Sequence, residues 1–398
     1  MESISLVEAR RALIRAQGLA SPPRKNPAKA DVLAAIERMA VLQIDTISVV
    51  ARSPYFVLWS RLGGYEPRWL DELLAEGAIF EAWAHAACFV PSSQFPVYRR
   101  RTLDGAHRGG VYWKRWMAAH EAEAAAVLDH VRTNGPARSA DFEGDGKRGA
   151  WWDWKSEKIA LEMLFQNGDL MIVRRQGFQR VYDLTERVRP GWDDRDAPSG
   201  DEAARAMVLQ SIRALGVTKP EWVWQYLHLE RKPSLQAVRE LLNAGEITEV
   251  TVEGFAKPWV MPADGAALAG RRPSRTVLLT PFDPIVWDRD RGRELFGFDY
   301  TIECYTPEPK RRYGYFSLPI LHGDGLVGRL DAKAHRKDGL FEVKALHLEP
   351  GVPPSDALVA GLGACLRECA AWHGTPDVLV RKSDPEGLAE RVQLASSA

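Results

Sequence analysis

The 398-residue sequence predicts an α+β fold, with three tandem winged-helix units followed by a small antiparallel β-barrel. Two observations predict it. A helix, a glycine and a β-hairpin recur three times before about residue 262. From about Thr276 the pattern changes to short alternating strands separated by Pro, Gly and Asp. The length suffices for two to four domains with a large buried core.

The repeat is read from local chemistry. Trp69 to Ile79 is a short amphipathic run ended by Gly77, with an apolar strand at 86 to 90. Residues 161 to 170 repeat the device, leading into strands at 171 to 173 and 181 to 184 around Gly177. Residues 238 to 247 repeat it again, with Gly245 before strands near 248 to 252 and 257 to 261. A helix, a glycine free to adopt positive φ, then a hairpin is the second half of a winged helix. The helix before such a hairpin is commonly the one offered to DNA, although the same fold also serves as a protein-binding scaffold.

The other elements follow in order. Residues 4 to 19 and 29 to 42 have helical periodicity, separated by Ser21-Pro22-Pro23. Ser53-Pro54 predicts a helix to about Leu62, with Ser53 as cap and Gly63-Gly64 as stop. Glycine-bearing loops are expected at 105 to 110 and 144 to 149. Trp113, Trp116, Trp151, Trp152 and Trp154 nearby suit core or inter-domain packing. Residues 190 to 202 read as a linker. Strands are expected at 276 to 279, 301 to 305, 313 to 318, 326 to 330 and 340 to 348, then a helix at 355 to 373, a strand at 377 to 381 and a polar tail. The resulting domains are 1–104 (N-terminal helices and first winged helix), 105–190 (second), 200–265 (third) and 275–398 (barrel with C-terminal helix).

The stretch with the most chemical content is Gln43-Ile44-Asp45. On a continuous helix Gln43 and Asp45 would diverge by about 200°. In extended chain they project to one side and Ile44 to the other. The spacing therefore favours a break in the helix, with an amide and a carboxylate aimed at one point. A carboxylate so placed can direct water and stabilise an oxocarbenium-like sugar. The simpler alternative is that Asp45 or Thr46 caps the next helix while Gln43 lies on the surface.

Charge balances, with 53 basic and 53 acidic residues, so a DNA-binding surface requires segregation. Arg99 to Arg101, Arg174-Arg175, Arg271-Arg272 and Lys310 to Arg312 are basic clusters, while Asp193-Asp194 and Asp201-Glu202 are acidic. The cysteines Cys88, Cys304, Cys365 and Cys369 form no CxxC pair, and no zinc, other metal or cofactor is expected. No signal peptide or membrane span is apparent, which favours a cytoplasmic protein; a monomer is expected, nucleoid-associated in action if it binds DNA.

Leu42 to Ile47, Ala51 to Tyr55, Trp83-Ala84-His85, Arg138 to Phe142, Pro281 to Arg289 and Glu303 to Phe316 together resemble the crosslink-repair DNA glycosylases of the YcaQ type. The resemblance implies tandem winged helices, a small β-barrel and cleavage of N-glycosidic bonds of alkylated bases in damaged double-stranded DNA, interstrand crosslinks included. That family's motif is glutamine, an apolar residue, then glutamine or aspartate. It thus assigns catalysis to Gln43 and Asp45, and DNA contact to Arg52, Ser53, His85, Lys310, Arg311 and Arg312. Better-matching relatives carry Glu after Trp-Ala-His, where this chain has Ala86.

Two other functions are open to the same sequence. A non-catalytic winged-helix DNA-binding regulator would use the repeats and have no need of Asp45. A metal-dependent nuclease would use Asp331 with Glu342 and Lys344, a loose Asp…Glu-x-Lys pattern that any half-buried strand can produce.

Overall fold

The computed structural model describes residues 2–105, 110–142, 156–266, 268–270 and 272–397. Arg271, Trp151, Trp152, Trp154 and the 144 to 149 loop lie outside them, as does the side chain of Trp113. The chain divides into two compact units, one of Met1–Pro67 with Val208–Ala398, the other Arg68–Met207.

In the first unit, Ser5 caps the helix Leu6–Ala16 through a reciprocal pair: Glu8 N donates to Ser5 Oγ, and Ser5 N donates to the Glu8 carboxylate. The second helix, Lys29–Met39, stops short of the expected residue 42. Ala40 takes a positive φ of 67°, rare for a residue with a Cβ, and turns the chain into extended conformation. The helix Ser53–Leu62 begins at Ser53 itself, with Arg52 at the N-cap, and ends on Gly63. Its aromatic face packs on the helix Asp356–Trp372. Trp59 and Tyr65 each stack on Trp372 with ring centroids 5.9 Å apart.

The helix Arg231–Asn243, Gly245 and the strands Ile247–Val252 and Trp259–Pro262 form one helix–hairpin repeat as expected. Its core joins Val208, Ile212, Val223, Val238, Leu241, Ile247 and Val260. Each fully buried side chain of this kind contributes roughly 1.5–3 kcal/mol. The strand Glu2–Ile4, unmarked in the sequence, pairs parallel with Ile247–Val252.

The C-terminal sheet has six strands. Thr276–Leu278, Ser317–His322, Gly325–His335 and Leu340–Leu348 run antiparallel in sequence order. Asp377–Val380 and Ser383–Asp384 then add to Leu340–Leu348 in parallel. Among the described residues this sheet is therefore mixed, and its path ends at Thr276–Leu278 and Asp377–Val380 without closing on itself. Residues 301 to 316 are an irregular loop around a short 3₁₀ turn, Glu308–Lys310, where two strands were expected. Pro307, Pro309 and Gly314 in that run explain the difference, since proline gives no ladder donor. The expected polar tail is the helix Leu388–Ser397, which packs Leu388, Ala389 and Val392 into the unit.

The second unit contains the other two helix–hairpin repeats. They are Arg68–Ala75 with Ile79–Trp83 and Ala87–Pro91, and Ser156–Asn167 with Leu170–Gln176 and Gln179–Leu184. Gly77 and Gly168 stand at the helix ends with φ of 71° and 79°. Its basic clusters are largely neutralised. Arg99 pairs with Asp194 and Arg100 with Asp104, both at 2.6 Å. Arg175 and Arg180 converge on the buried carboxylate of Glu81. These arginines hold the unit together, and the expectation of a segregated basic surface fails for them.

Candidate active site

Residues 40 to 52 lie between the helices Lys29–Met39 and Ser53–Leu62, and carry Gln43 and Asp45. Leu42–Gln43 is a two-residue strand, and the chain from Ile44 to Ser48 has no regular secondary structure. Ile44 is buried, whereas Gln43 and Asp45 are partly exposed. The burial alternates as a period of two would have it, with Ile44 in the core between two polar residues that keep some exposure. Asp45 Oδ1 accepts the amide proton of Ile47 at 2.8 Å, a local turn. The next helix starts at Ser53, so Asp45 and Thr46 do not cap it.

The segment is tied to the C-terminal sheet. The amide of Ala334 donates to Val49 O at 3.2 Å, and the Arg336 guanidinium donates to Val50 O. Ser53 Oγ meets Thr280 Oγ1 at 2.8 Å, with both residues fully buried. Ser53 is therefore an anchor for the segment, and the expectation that it touches DNA does not suit a hydroxyl with no exposure. Arg52 is half-buried at the helix N-cap. His85 belongs to the second unit, in the turn of the hairpin Ile79–Trp83 to Ala87–Pro91.

Electrostatics at Asp45 match an acid held out of water. Partial burial pushes its carboxyl above the usual carboxylate range, opposed by the Ile47 amide. Gln43 Oε1 is buried and accepts no hydrogen bond, a costly state for an amide oxygen unless a ligand or water supplies a donor.

Asp45 lies within electrostatic range of Cys304 and Tyr305 in the loop 301 to 316. That loop is braced from within. The Glu303 carboxylate accepts from the amides of Arg312 at 2.9 Å and Tyr313 at 2.7 Å. Arg311 donates to Thr306 O at 2.9 Å and lies 5.0 Å over the Tyr315 ring. Lys310 and Arg312 are exposed beside it, so the expected basic tip exists, on a loop instead of a hairpin.

Beneath the loop sits Asp331. A bulge between Asp331 and Ala332 re-aims the strand there. A Cβ on Gly314 would fall 2.4 Å from Asp331 Cγ, so backbone is laid directly on the carboxyl group. Burial pushes this carboxyl upward, while Lys344, 4.0 Å away, and Arg311 pull it down. The other acid of the nuclease pattern, Glu342, is engaged by His335 and Arg381, each at 2.8 Å. Sequence reading missed Glu303, Cys304, Tyr305 and Asp331 as members of one constellation. The signal for the first three was present as an unexplained acid, thiol and aromatic inside the long matched run 303 to 316, whereas Asp331 had drawn notice only in the nuclease pattern.

The matched run Pro281 to Arg289 proves structural. Asp283 receives both terminal nitrogens of the Arg61 guanidinium, Nη2 to Oδ1 at 3.0 Å, with both side chains buried. Asp288 caps the helix Arg289–Phe296. Among the described residues no cluster of three or more His, Cys, Asp or Glu has metal-binding geometry, and no helix is long and apolar enough to cross a membrane.

Comparison with known proteins agrees with this geometry. The DNA glycosylase AlkZ of Streptomyces sahachiroi has the same fold, with a TM-score of 0.64 at 19% sequence identity over 96% of this chain and 100% of that one. A family model described as DNA glycosylase AlkZ-like matches residues 36–372, a span that contains Gln43, Asp45 and the loop 301 to 316. The chain belongs to the AlkZ-like family of DNA glycosylases.

Proposed function

We propose that this protein hydrolyses the N-glycosidic bond of alkylated purines in duplex DNA, N7-linked interstrand crosslinks included, and leaves abasic sites. The observation that carries this reading is the non-helical Gln43-Ile44-Asp45 segment, with Ile44 buried, a poorly solvated carboxylate at Asp45 and an unpartnered amide oxygen two residues before it. An N7-alkylated purine is already cationic and departs without a proton donor. The enzyme then needs to stabilise the sugar cation and deliver water. Asp45 faces the developing charge and takes a proton from the water. Gln43 Oε1 accepts a hydrogen bond from the O–H that the water keeps and fixes its direction. No lysine nucleophile enters this scheme, so the enzyme is monofunctional.

Arg52, Lys310, Arg311, Arg312 and His85 are the proposed DNA contacts. The three helix–hairpin repeats are the proposed winged helices, and the four-part division at 1–104, 105–190, 200–265 and 275–398 is retained as a proposal. A crosslinked base is tethered to the opposite strand and resists full extrusion, so this chemistry requires an open site.

The test is release of 7-methylguanine from methylated duplex. Asp45→Asn is expected to lower single-turnover release at least about 100-fold while binding persists. Release at the wild-type rate would remove Asp45 from the mechanism. A duplex with a nitrogen-mustard crosslink, analysed for abasic sites, tests the unhooking claim separately.

A further inference from the structure

One aromatic side chain near Asp45 is almost wholly exposed. Tyr305 is 89% exposed, although its hydroxyl meets Cys304 and it sits in a loop braced by several of its own residues. Glu303 closes the loop through two backbone amides, Arg311 stacks on Tyr315, Arg312 lies over Tyr313, and Gly314 is seated on Asp331. The backbone carrying Tyr305 is thus fixed from several sides while its ring stands in solvent. The loop runs into Ser317, which is paired with Asp331. Three residues further along that strand, roughly 10 Å, Ala334 holds the segment that carries Asp45. Single exposed aromatics are ordinary on protein surfaces. One carried on a braced loop and within electrostatic range of the proposed catalytic carboxylate is positioned for a ligand.

We propose that Tyr305 is a specificity-determining residue whose ring face stacks on the alkylated purine and favours bases that carry positive charge. This rests on the alkylpurine glycosylase reading above and adds the selectivity of the same site. The electron-rich face of a phenol attracts a cation within about 6 Å of its centroid, and the attraction grows as the pair is desolvated. A neutral base would gain the stacking without the charge-dependent part. Discrimination is then achieved on a loop surface, without a sealed pocket that a crosslinked base could not enter.

The experiment measures binding of the full-length chain to three duplexes. One carries cationic 2′-fluoro-7-methylguanine, one the neutral isostere 7-methyl-7-deazaguanine, and one no lesion. Wild type is expected to prefer the cationic duplex over the neutral isostere by roughly 5- to 30-fold. Tyr305→Phe should keep most of that ratio, and Tyr305→Leu should collapse it, with no change in melting temperature because the ring is exposed. A wild-type ratio near one, or an unchanged ratio in Tyr305→Leu, overturns the proposal. Failure of the wild-type enzyme to release 7-methylguanine would instead sink the glycosylase reading, and the binding ratios decide Tyr305 independently.

Discussion

Asp45 is a carboxylate kept partly away from water, and that has opposite consequences for activity and stability. Its raised pKa predicts an acid limb in turnover: the base form is lost as pH falls through that raised value, so single-turnover rates should decline there and Asp45→Glu should shift the limb. For folding the sign reverses. A carboxyl whose folded pKa is raised contributes stability below its unfolded pKa and loses it as pH rises through the folded one. Asp45→Asn should therefore melt no lower than wild type at neutral pH, and any gain should vanish at low pH. Asp283 is the contrasting case. Its buried pairing with Arg61 leaves an uncompensated guanidinium when removed, so Asp283→Ala is expected to cost about 3–5 kcal/mol, read by denaturant unfolding. The two carboxylates differ because one has a buried cation as partner and the other has only a backbone amide.

Among the elements, the loop 301 to 316 depends most on the atoms around it. Gly314 has a φ of 106° and rests on the Asp331 carboxyl, so a methyl there meets both backbone strain and a clash. Gly314→Ala should displace the loop and lower turnover on methylated duplex about tenfold or more, while the melting temperature falls little, because the flanking helix Arg289–Phe296 and strand Ser317–His322 keep their partners. Equal loss of turnover and stability would mean that the loop is a structural brace only. The segment at 40 to 52 is the second such element. Its backbone is held by Ala334 and Arg336 and its far end by the Ser53–Thr280 contact, so it keeps Gln43 and Asp45 in register without regular pairing of its own beyond Leu42–Gln43.

Over the whole molecule the charges cancel, 53 against 53, and much of the basic content is spent internally, as Arg61, Arg99, Arg175 and Arg180 illustrate. DNA affinity must then depend on a few unshared cations. Lys310→Ala and Arg312→Ala are each expected to weaken binding uniformly across sequences and to reduce the slope of log affinity against log salt by about 1. An unchanged slope in both variants would place the duplex elsewhere.

What was legible in the sequence was local. The three helix–glycine–hairpin repeats could be read because a glycine that must take positive φ leaves a signature within a dozen residues. The helix break at Gln43–Asp45 could be read because extended chain has a period of two. The strands expected at 301 to 305 and 313 to 318 and the polar tail were misread for the complementary reason. Tight loop bracing by Glu303, and the packing of Leu388 and Val392, are set by residues that the local pattern does not reveal. By itself the sequence determined which side chains an extended or helical stretch presents together. Only the tertiary structure decided that Asp283 serves Arg61, that Asp331 lies under Gly314, and that Tyr305 stands near Asp45. Those pairings join residues as far as about 260 positions apart, and no chain-local physics specifies such a contact.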